Sequence, residues 1–402
     1  MTRTLEGRDI TTQLVHAGER QPPPHGVPAS TPVYATSTFT YGSMAEVDRV
    51  FSGEDAGYVY TRYGNPTTGA LEEAIRVLEG GAAACAYATG MAALHAALFA
   101  CELSAGSTVL ASQDLYGATT ELLYTVFGSF GVKTVTADFT RPEALRETAL
   151  EVRPRVLLAE TISNPLLKVC DINACAEVAR EAGARLVVDN TFASPYLCRP
   201  LEHGADLVVH SATKYLGGHA DVMGGLVVSR DAADAAALVG IMKLAGGVLG
   251  VWEAHEVLRG LKTLAVRLER QCSNARRLAE RLAAHTRVRR VHYPGLNTQP
   301  EAVELLSRVL RAPHAGALVA IELEEDTFEA AFRFMDALGL CVRSTSLGDV
   351  FTGVLHPATS SHREVAPARR RRLGIADGLV RISVGIEDVE DVLDDIERAL
   401  GE

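Results

Sequence analysis

Lys214 follows the apolar run 207–209 and opens into hydroxyls and glycines, in "HSATKYLGGHADVMGG" (210–225). An amine at the end of a buried strand loses hydration, so the position calls for a partner anion or a chemical task. Other polar residues close apolar runs in the same way. Glu160 ends "RVLLAE", Asn164 follows it closely, Asp189 ends "RLVVD", and Ser211 and Thr213 flank the lysine. In open α/β sheets, ligands bind beyond the carboxyl ends of the strands, where loops and helix N-termini converge. An acid closing one run and a lysine closing the next could form a buried ion pair. That pair would leave the hydroxyls beside Lys214 unexplained.

It would also leave unexplained the small residues around Thr89 and Gly90, which lead directly into the apolar helical stretch "MAALHAALFA". There, backbone N–H groups and the helix dipole can hold an anion. A single ligand accounts for every feature: a phosphate for Gly90, Met91, Ser211 and Thr213, a basic ring nitrogen for Asp189, and an aldehyde for Lys214. Pyridoxal 5'-phosphate carries these three handles. The glycine cluster lacks the GxGxxG spacing of a nicotinamide site. His219, within that cluster, has no second ligand at metal spacing and reads as a loop histidine, so no metal is expected.

The elements that must position these residues alternate from about residue 66. "NPTTGALEEAIRVLEGG" begins with a capping Asn-Pro pair and stops at a double glycine, a helix with defined ends. Short apolar runs recur at "STVLAS", "VKTVTAD", "RVLLAET", "RLVVDNTF" and "DLVVHSATK", separated by helical or turn segments, with "GGLVVSR" expected near an edge. This predicts an α/β architecture with a mostly parallel sheet covered by helices. Leu258, Leu261, Leu264 and Leu268 then recur at helical spacing towards His285, marking a change of domain. The tail reads strand, helix, strand, strand, helix, a smaller α+β domain. The expected division is an extended N-terminal arm over 1–64, a large ligand-binding domain over 65–265 and a C-terminal domain over 266–402.

The chain has 402 residues and 47% hydrophobic content, enough for a sizeable core. Its net charge of −11 argues against nucleic acid as the main partner. The basic run "ARRRR" (368–372) reads as a solvated helix face after Pro367. Without a signal peptide or a membrane-length apolar stretch, a cytoplasmic location is expected and no membrane partner. The seven cysteines are odd in number and scattered, and read as reduced core thiols.

Seven stretches together carry a family resemblance: "YTRYGNPTTGALEEAI" (60–75), "ATGMAA" (88–93), "DLYGAT" (114–119), "VVDNTF" (187–192), "DLVVHSATKYLGGHADVMGG" (206–225), "RGLKTL" (259–264) and "GLVRISVGIED" (378–388). The sequence resembles the Cys/Met-metabolism pyridoxal-phosphate enzymes, the group containing cystathionine γ-synthase, cystathionine γ-lyase, methionine γ-lyase and the homoserine-ester sulfhydrylases. The resemblance implies the pyridoxal-phosphate-dependent transferase fold, aspartate aminotransferase-like (fold type I).

It also implies roles. Lys214 resembles the Schiff-base lysine, which then serves as base, and Asp189 the partner of the pyridinium nitrogen. Tyr116 matches the tyrosine that stacks on the ring and exchanges protons with the leaving group. Gly90, Met91, Ser211 and Thr213 match the phosphate cup. Tyr60 and Arg62 match a pair reaching the neighbouring subunit's phosphate, which implies a homo-oligomer, a dimer at least and in the family usually a tetramer. Arg381 resembles the arginine that binds the substrate carboxylate, with Asn164 and Ser346 completing that pocket.

The implied activity is γ-elimination from a sulfur-containing or otherwise γ-substituted amino acid, giving a 2-oxo acid, ammonia and the leaving group. The alternative is a γ-replacement transferase, a cystathionine γ-synthase or O-acyl-homoserine sulfhydrylase. Several positions depart from the pattern. Ala118 and Leu244 stand where methionine γ-lyases carry a cysteine and an aspartate. Thr345 stands where cystathionine enzymes commonly carry a glutamate. Trp252 and Glu253, in "GVWEA", replace the usual "SPxDA" and either reshape the entrance or simply pack beside the long helix.

Overall fold

The computed structural model describes residues 26–401. Most of the Pro-rich opening expected to be extended, up to residue 25, lies outside the described residues. From Val33 onward the chain forms one unit. Within the segment read as an arm, Met44–Ser52 is helical, capped by the Ser43 hydroxyl, which accepts from the Glu46 N–H.

The first sheet contains β1 (Ala83–Tyr87), β2 (Thr108–Ser112), β3 (Lys133–Ala137), β4 (Val156–Glu160), β5 (Arg185–Asp189), β6 (Leu207–Ser211) and β7 (Gly225–Ser229). Their spatial order is β1-β7-β6-β5-β4-β2-β3. The pairings from β6 through β5, β4 and β2 to β3 are parallel, and β7 runs antiparallel to both β6 and β1. Val187, Val188, Val208 and Val209 are buried to within one per cent, as expected of parallel strands covered on both faces. "GGLVVSR", expected near an edge, forms β7, one strand in from that side of the sheet. The true edge at that side is β1, "AACAY", whose alanines lack the β-branched signal of a strand.

The second sheet holds β8 (Val288–His292), β9 (Leu318–Leu323), β10 (Val342–Arg343), β11 (Gly353–Leu355) and β12 (Leu379–Ser383), ordered β10-β11-β12-β9-β8. Two helices, Val251–Leu261 and Leu264–Ala283, precede it, so the leucine period breaks at Lys262 and Thr263 instead of running through one helix. The second of them packs on β8 and β9.

The helix Pro66–Glu79 has the ends its sequence predicts: the Asn65 side chain accepts from the Thr67 N–H at 2.9 Å, and Gly80 closes it at φ 71°. In the basic run, Arg370 is buried and donates to the Val365 carbonyl at 2.9 Å, so that helix face is solvated only in part. All seven cysteines are unpaired and buried. Among the described residues no helix is long and apolar enough to cross a membrane.

Candidate active site

Parallel strands that end at one level deliver their last residues to one place. β4, β5 and β6 end in Glu160, Asp189 and Ser211, and these line a cavity of about 490 Å³ together with Gly90, Met91, Tyr116, Asn164, Thr213, Lys214 and Arg381. That volume suits a cofactor with a small substrate. Lys214 and Asp189 thus face one cavity, as the single-ligand reading requires.

At the phosphate end, the helix Gly90–Ala100 is capped by Thr89, whose hydroxyl accepts from the Ala92 N–H at 3.0 Å. A Cβ at position 90 would lie 2.8 Å from the Ser211 Cβ and 3.0 Å from its Oγ, so only glycine lets this helix start so close to β6. The resulting cradle of N–H groups beside the Ser211 and Thr213 hydroxyls fits a phosphate dianion.

Asp189 is held from behind by a residue the sequence reading passed over. Thr191 donates both its N–H, at 3.0 Å, and its hydroxyl to Asp189 Oδ1, while the same hydroxyl accepts from the Ser211 N–H at 2.8 Å. The Asp-x-Thr spacing in "VVDNTF" was its available signal. Burial raises the Asp189 carboxyl, and the Thr191 donors oppose that rise. Glu160 stands opposite Asp189 in the β4–β5 register. Burial first, and then the Asp189 charge, push its carboxyl well above the usual range; the N–H groups of Tyr116, at 2.6 Å, and Asn164 pull the other way.

Lys214 Nζ donates to the Ser346 hydroxyl at 3.0 Å. Burial draws this amine's pKa below the ordinary lysine value; Arg381 adds repulsion and Asp349 works against it. The loop carrying Ser346 can approach because Gly348 has φ 83°, and a Cβ there would lie 2.6 Å from the Tyr215 nitrogen. Arg381, on β12, is fully buried. It donates from Nη1 to Asn164 Oδ1 at 2.8 Å and from Nη2 to the Ser346 carbonyl at 3.1 Å, while its Nε has no hydrogen-bond partner among the described residues. Burial lowers its pKa to about 10. A buried guanidinium with no carboxylate of its own is suited to receive one from a ligand.

His362 was also missed. It is buried, bonds to the Ser361 hydroxyl through Nδ1 at 3.0 Å and to the Asn164 backbone, and its pKa is lowered to about 4 by burial and then by Arg381. Tyr60 and Arg62 do not reach the cavity of their own chain. Arg62 stacks 4.7 Å from the Tyr63 ring centre and donates to the Lys243 carbonyl, and Tyr60 is 40% exposed. Thr345 lines the cavity, whereas Trp252 is 62% exposed and Leu244 91%, both away from its lining.

These features define a pyridoxal-phosphate site built between a parallel sheet and a smaller second sheet. A model of the Cys/Met metabolism PLP-dependent enzyme family matches residues 11–401, and the chain belongs to that family. It is 43% identical to an L-methionine gamma-lyase of Fusobacterium nucleatum subsp. nucleatum over 92% of each chain. It is also 43% identical to an L-methionine gamma-lyase of Pseudomonas putida over 97% of each. Among solved structures, the cystathionine gamma synthase of Xanthomonas oryzae pv. oryzae, in complex with aminoacrylate and cysteine, superposes with a TM-score of 0.85 at 40% identity over 92% of each chain.

Proposed function

We propose that the chain is a γ-lyase that, with one water, splits a sulfur-containing or otherwise γ-substituted amino acid into a 2-oxo acid, ammonia and the protonated γ-leaving group. The observation that carries this reading is the convergence of Lys214, Asp189 and Arg381 on one cavity, an amine, a carboxyl group and a guanidinium whose Nε is unpaired among the described residues, the three groups that a cofactor and an α-amino acid would need. The bound cofactor supplies an electron-withdrawing ring that stabilises charge left on the substrate's α-carbon.

The chain's own groups do the rest. Gly90, Met91, Ser211 and Thr213 would hold the phosphate, and Asp189, fixed by Thr191, would pair with the ring nitrogen, whose positive charge would oppose the effect of burial on the carboxyl. Arg381 and Asn164 take the substrate carboxylate. Lys214, made less basic by burial, would anchor the cofactor and then remove the α-proton; a β-proton must leave as well before the γ-substituent can depart. Tyr116 gives a proton to the departing group. Ile162, Phe192, Met223 and Leu347 give the cavity apolar walls suited to a thioether chain.

Tyr60 and Arg62 complete the site of a neighbouring subunit in a dimer or tetramer. Their distance from their own cavity supports this, as does the exposure of Phe51, Tyr58 and Met223. The unpaired cysteines support a reducing, cytoplasmic setting. Of the proposed division into 1–64, 65–265 and 266–402, the boundary near 265 is supported by the two sheets, whose strands lie within 83–229 and 288–383.

Supplying L-methionine, L-homocysteine, L-cystathionine and O-acetylhomoserine, with and without sulfide, tests the reading. It requires release of 2-oxobutanoate without added thiol. Product formed only with a thiol would instead establish γ-replacement, the second reading, which the likeness to the Xanthomonas synthase favours.

A further inference from the structure

Behind the sheet lies a polar cluster that the proposed chemistry does not use. Glu79 and His210 both have zero exposure, and His210 Nε2 lies 2.6 Å from Glu79 Oε1. The same oxygen accepts from Asn190 Nδ2 at 3.0 Å, and Asn190 Oδ1 accepts from the Thr161 hydroxyl at 2.7 Å. Asn190 Nδ2 also donates to the Cys198 carbonyl at 2.9 Å. Glu79 Oε2 and His210 Nδ1 have no hydrogen-bond partner among the described residues.

Burying a carboxylate and an imidazole with unmet polar atoms is costly. Glu79 is moreover the last residue of the helix Pro66–Glu79, where the helix dipole disfavours an acid. Neither helix propensity nor core packing selects these residue types. Their place in the chain does. Thr161 follows Glu160, Asn190 follows Asp189, and His210 precedes Ser211. Successive residues along an extended strand point to opposite faces, so Thr161, Asn190 and His210 are each the reverse side of a cavity residue. Glu79 gathers three strand ends at one oxygen, directly or through Asn190.

We propose that Glu79, His210, Asn190 and Thr161 form a positioning network that sets the relative height of the strand ends, and thereby holds Asp189 against the cofactor ring and Ser211 against its phosphate. The proposal rests on the site reading given above. The bonds are side-chain specific: a leucine at 210 fills the space but releases the link to Glu79, whereas a glutamine carries an N–H to nearly the same point.

The test uses two readouts that a role confined to global stability would not move: the cofactor dissociation constant of the resolved enzyme, and the ratio of the holoenzyme's visible absorption bands at fixed pH. His210→Leu is expected to weaken cofactor binding about tenfold and to change the band ratio, the scale of one lost charge-assisted hydrogen bond. His210→Gln is expected to restore both to within about threefold. Thr161→Val, nearly isosteric, should move both in the same direction by a smaller factor, and it decides the matter if His210→Leu does not fold. Folded His210→Leu and Thr161→Val proteins with wild-type constants and spectra would overturn the proposal. Asp189→Asn separates the two levels: if it too leaves binding and spectrum unchanged, the site reading has failed and not merely the network.

Discussion

Lys214 and Ser346 meet at 3.0 Å, amine to hydroxyl, and the carbonyl of the same serine receives Arg381 at 3.1 Å. One residue, on the loop between β10 and β11 of the second sheet, therefore links Lys214, just beyond the end of β6, to Arg381 on β12, the pair proposed to anchor the cofactor and to bind the substrate carboxylate. In the proposed reaction, that loop would help to set the distance from Lys214 to the substrate's α-carbon.

Removing the hydroxyl should therefore separate catalysis from cofactor binding. Ser346→Ala leaves the carbonyl for Arg381 but deprives Lys214 of its acceptor. We expect kcat to fall about tenfold, the worth of one hydrogen bond to an ionisable group, with the cofactor dissociation constant unchanged. Steady-state rates together with a cofactor titration check this, and a parallel loss of cofactor would contradict it.

Arg381, proposed to bind the substrate carboxylate, also acts on Lys214. Its positive charge is the second cause, after burial, of the lowered lysine pKa. Arg381→Met removes a cation, so the protonated amine is favoured, the pKa rises and less free base exists at neutral pH. The acid limb of the kcat profile should move to higher pH, while kcat/KM drops by about a hundredfold from loss of a buried carboxylate partner. A pH profile measured at saturating substrate separates the two effects.

Much of this arrangement was readable because strand ends in a parallel sheet carry their chemistry in order. Glu160, Asp189, Ser211 and Lys214 each close a short apolar run, and the Asn65 and Gly80 punctuation fixed the helix between them and the arm. The sequence was silent where the determinant was long-range or lacked propensity. β1 is built from alanine, and its identity as an edge strand depends on pairing with β7, whose residues lie more than a hundred positions away. The Ser346 hydroxyl and the Glu79–His210 pair acquire partners only through tertiary contact, as does His362 with the Asn164 backbone, and no periodicity announces a buried hydrogen bond.

Glu160 makes a prediction about stability. Its folded pKa is raised above the reference value of 4.5, so between those two values the native state holds a proton that the unfolded chain has released. Stability therefore falls as pH rises through that window. Glu160→Gln keeps an acceptor for the Tyr116 N–H and has no proton to lose, so its thermal midpoint should gain on the wild type as pH is raised from 4.5. Glu160→Ala leaves the N–H groups of Tyr116, part-buried, and of Asn164 without this acceptor and should cost about 1–3 kcal/mol. Parallel melting curves for Glu160→Gln and wild type across pH would refute the account.

His362 has the opposite dependence. Its pKa falls from 6.5 to about 4 in the folded state, so the unfolded chain takes up the proton first as acid is added. The stability associated with its neutral, buried ring is present above pH 6.5 and is lost progressively down to about 4, at most about 3 kcal/mol for a shift of this size. His362→Gln should flatten the melting temperature over that interval, and an unchanged slope would show that other groups govern acid unfolding.

Thr345 offers a test of selectivity at the cavity wall. It lines the same space as Tyr116, Met223 and Ser361, and it presents a short neutral side chain beside Ser346. A thioether substrate ending in a methyl group asks for no charge there, whereas one ending in a second amino acid brings an ammonium that finds no anion at this position. Thr345→Glu supplies that anion at the rim without touching Lys214, Asp189 or Arg381. The ratio of kcat/KM for L-cystathionine over L-methionine should rise about tenfold, mostly through KM, since the new contact forms in ground and transition state alike. The gain should shrink as salt is added, because the new pair is partly solvated. If the ratio stays at its wild-type value, the distal end of the substrate is read by another part of the wall.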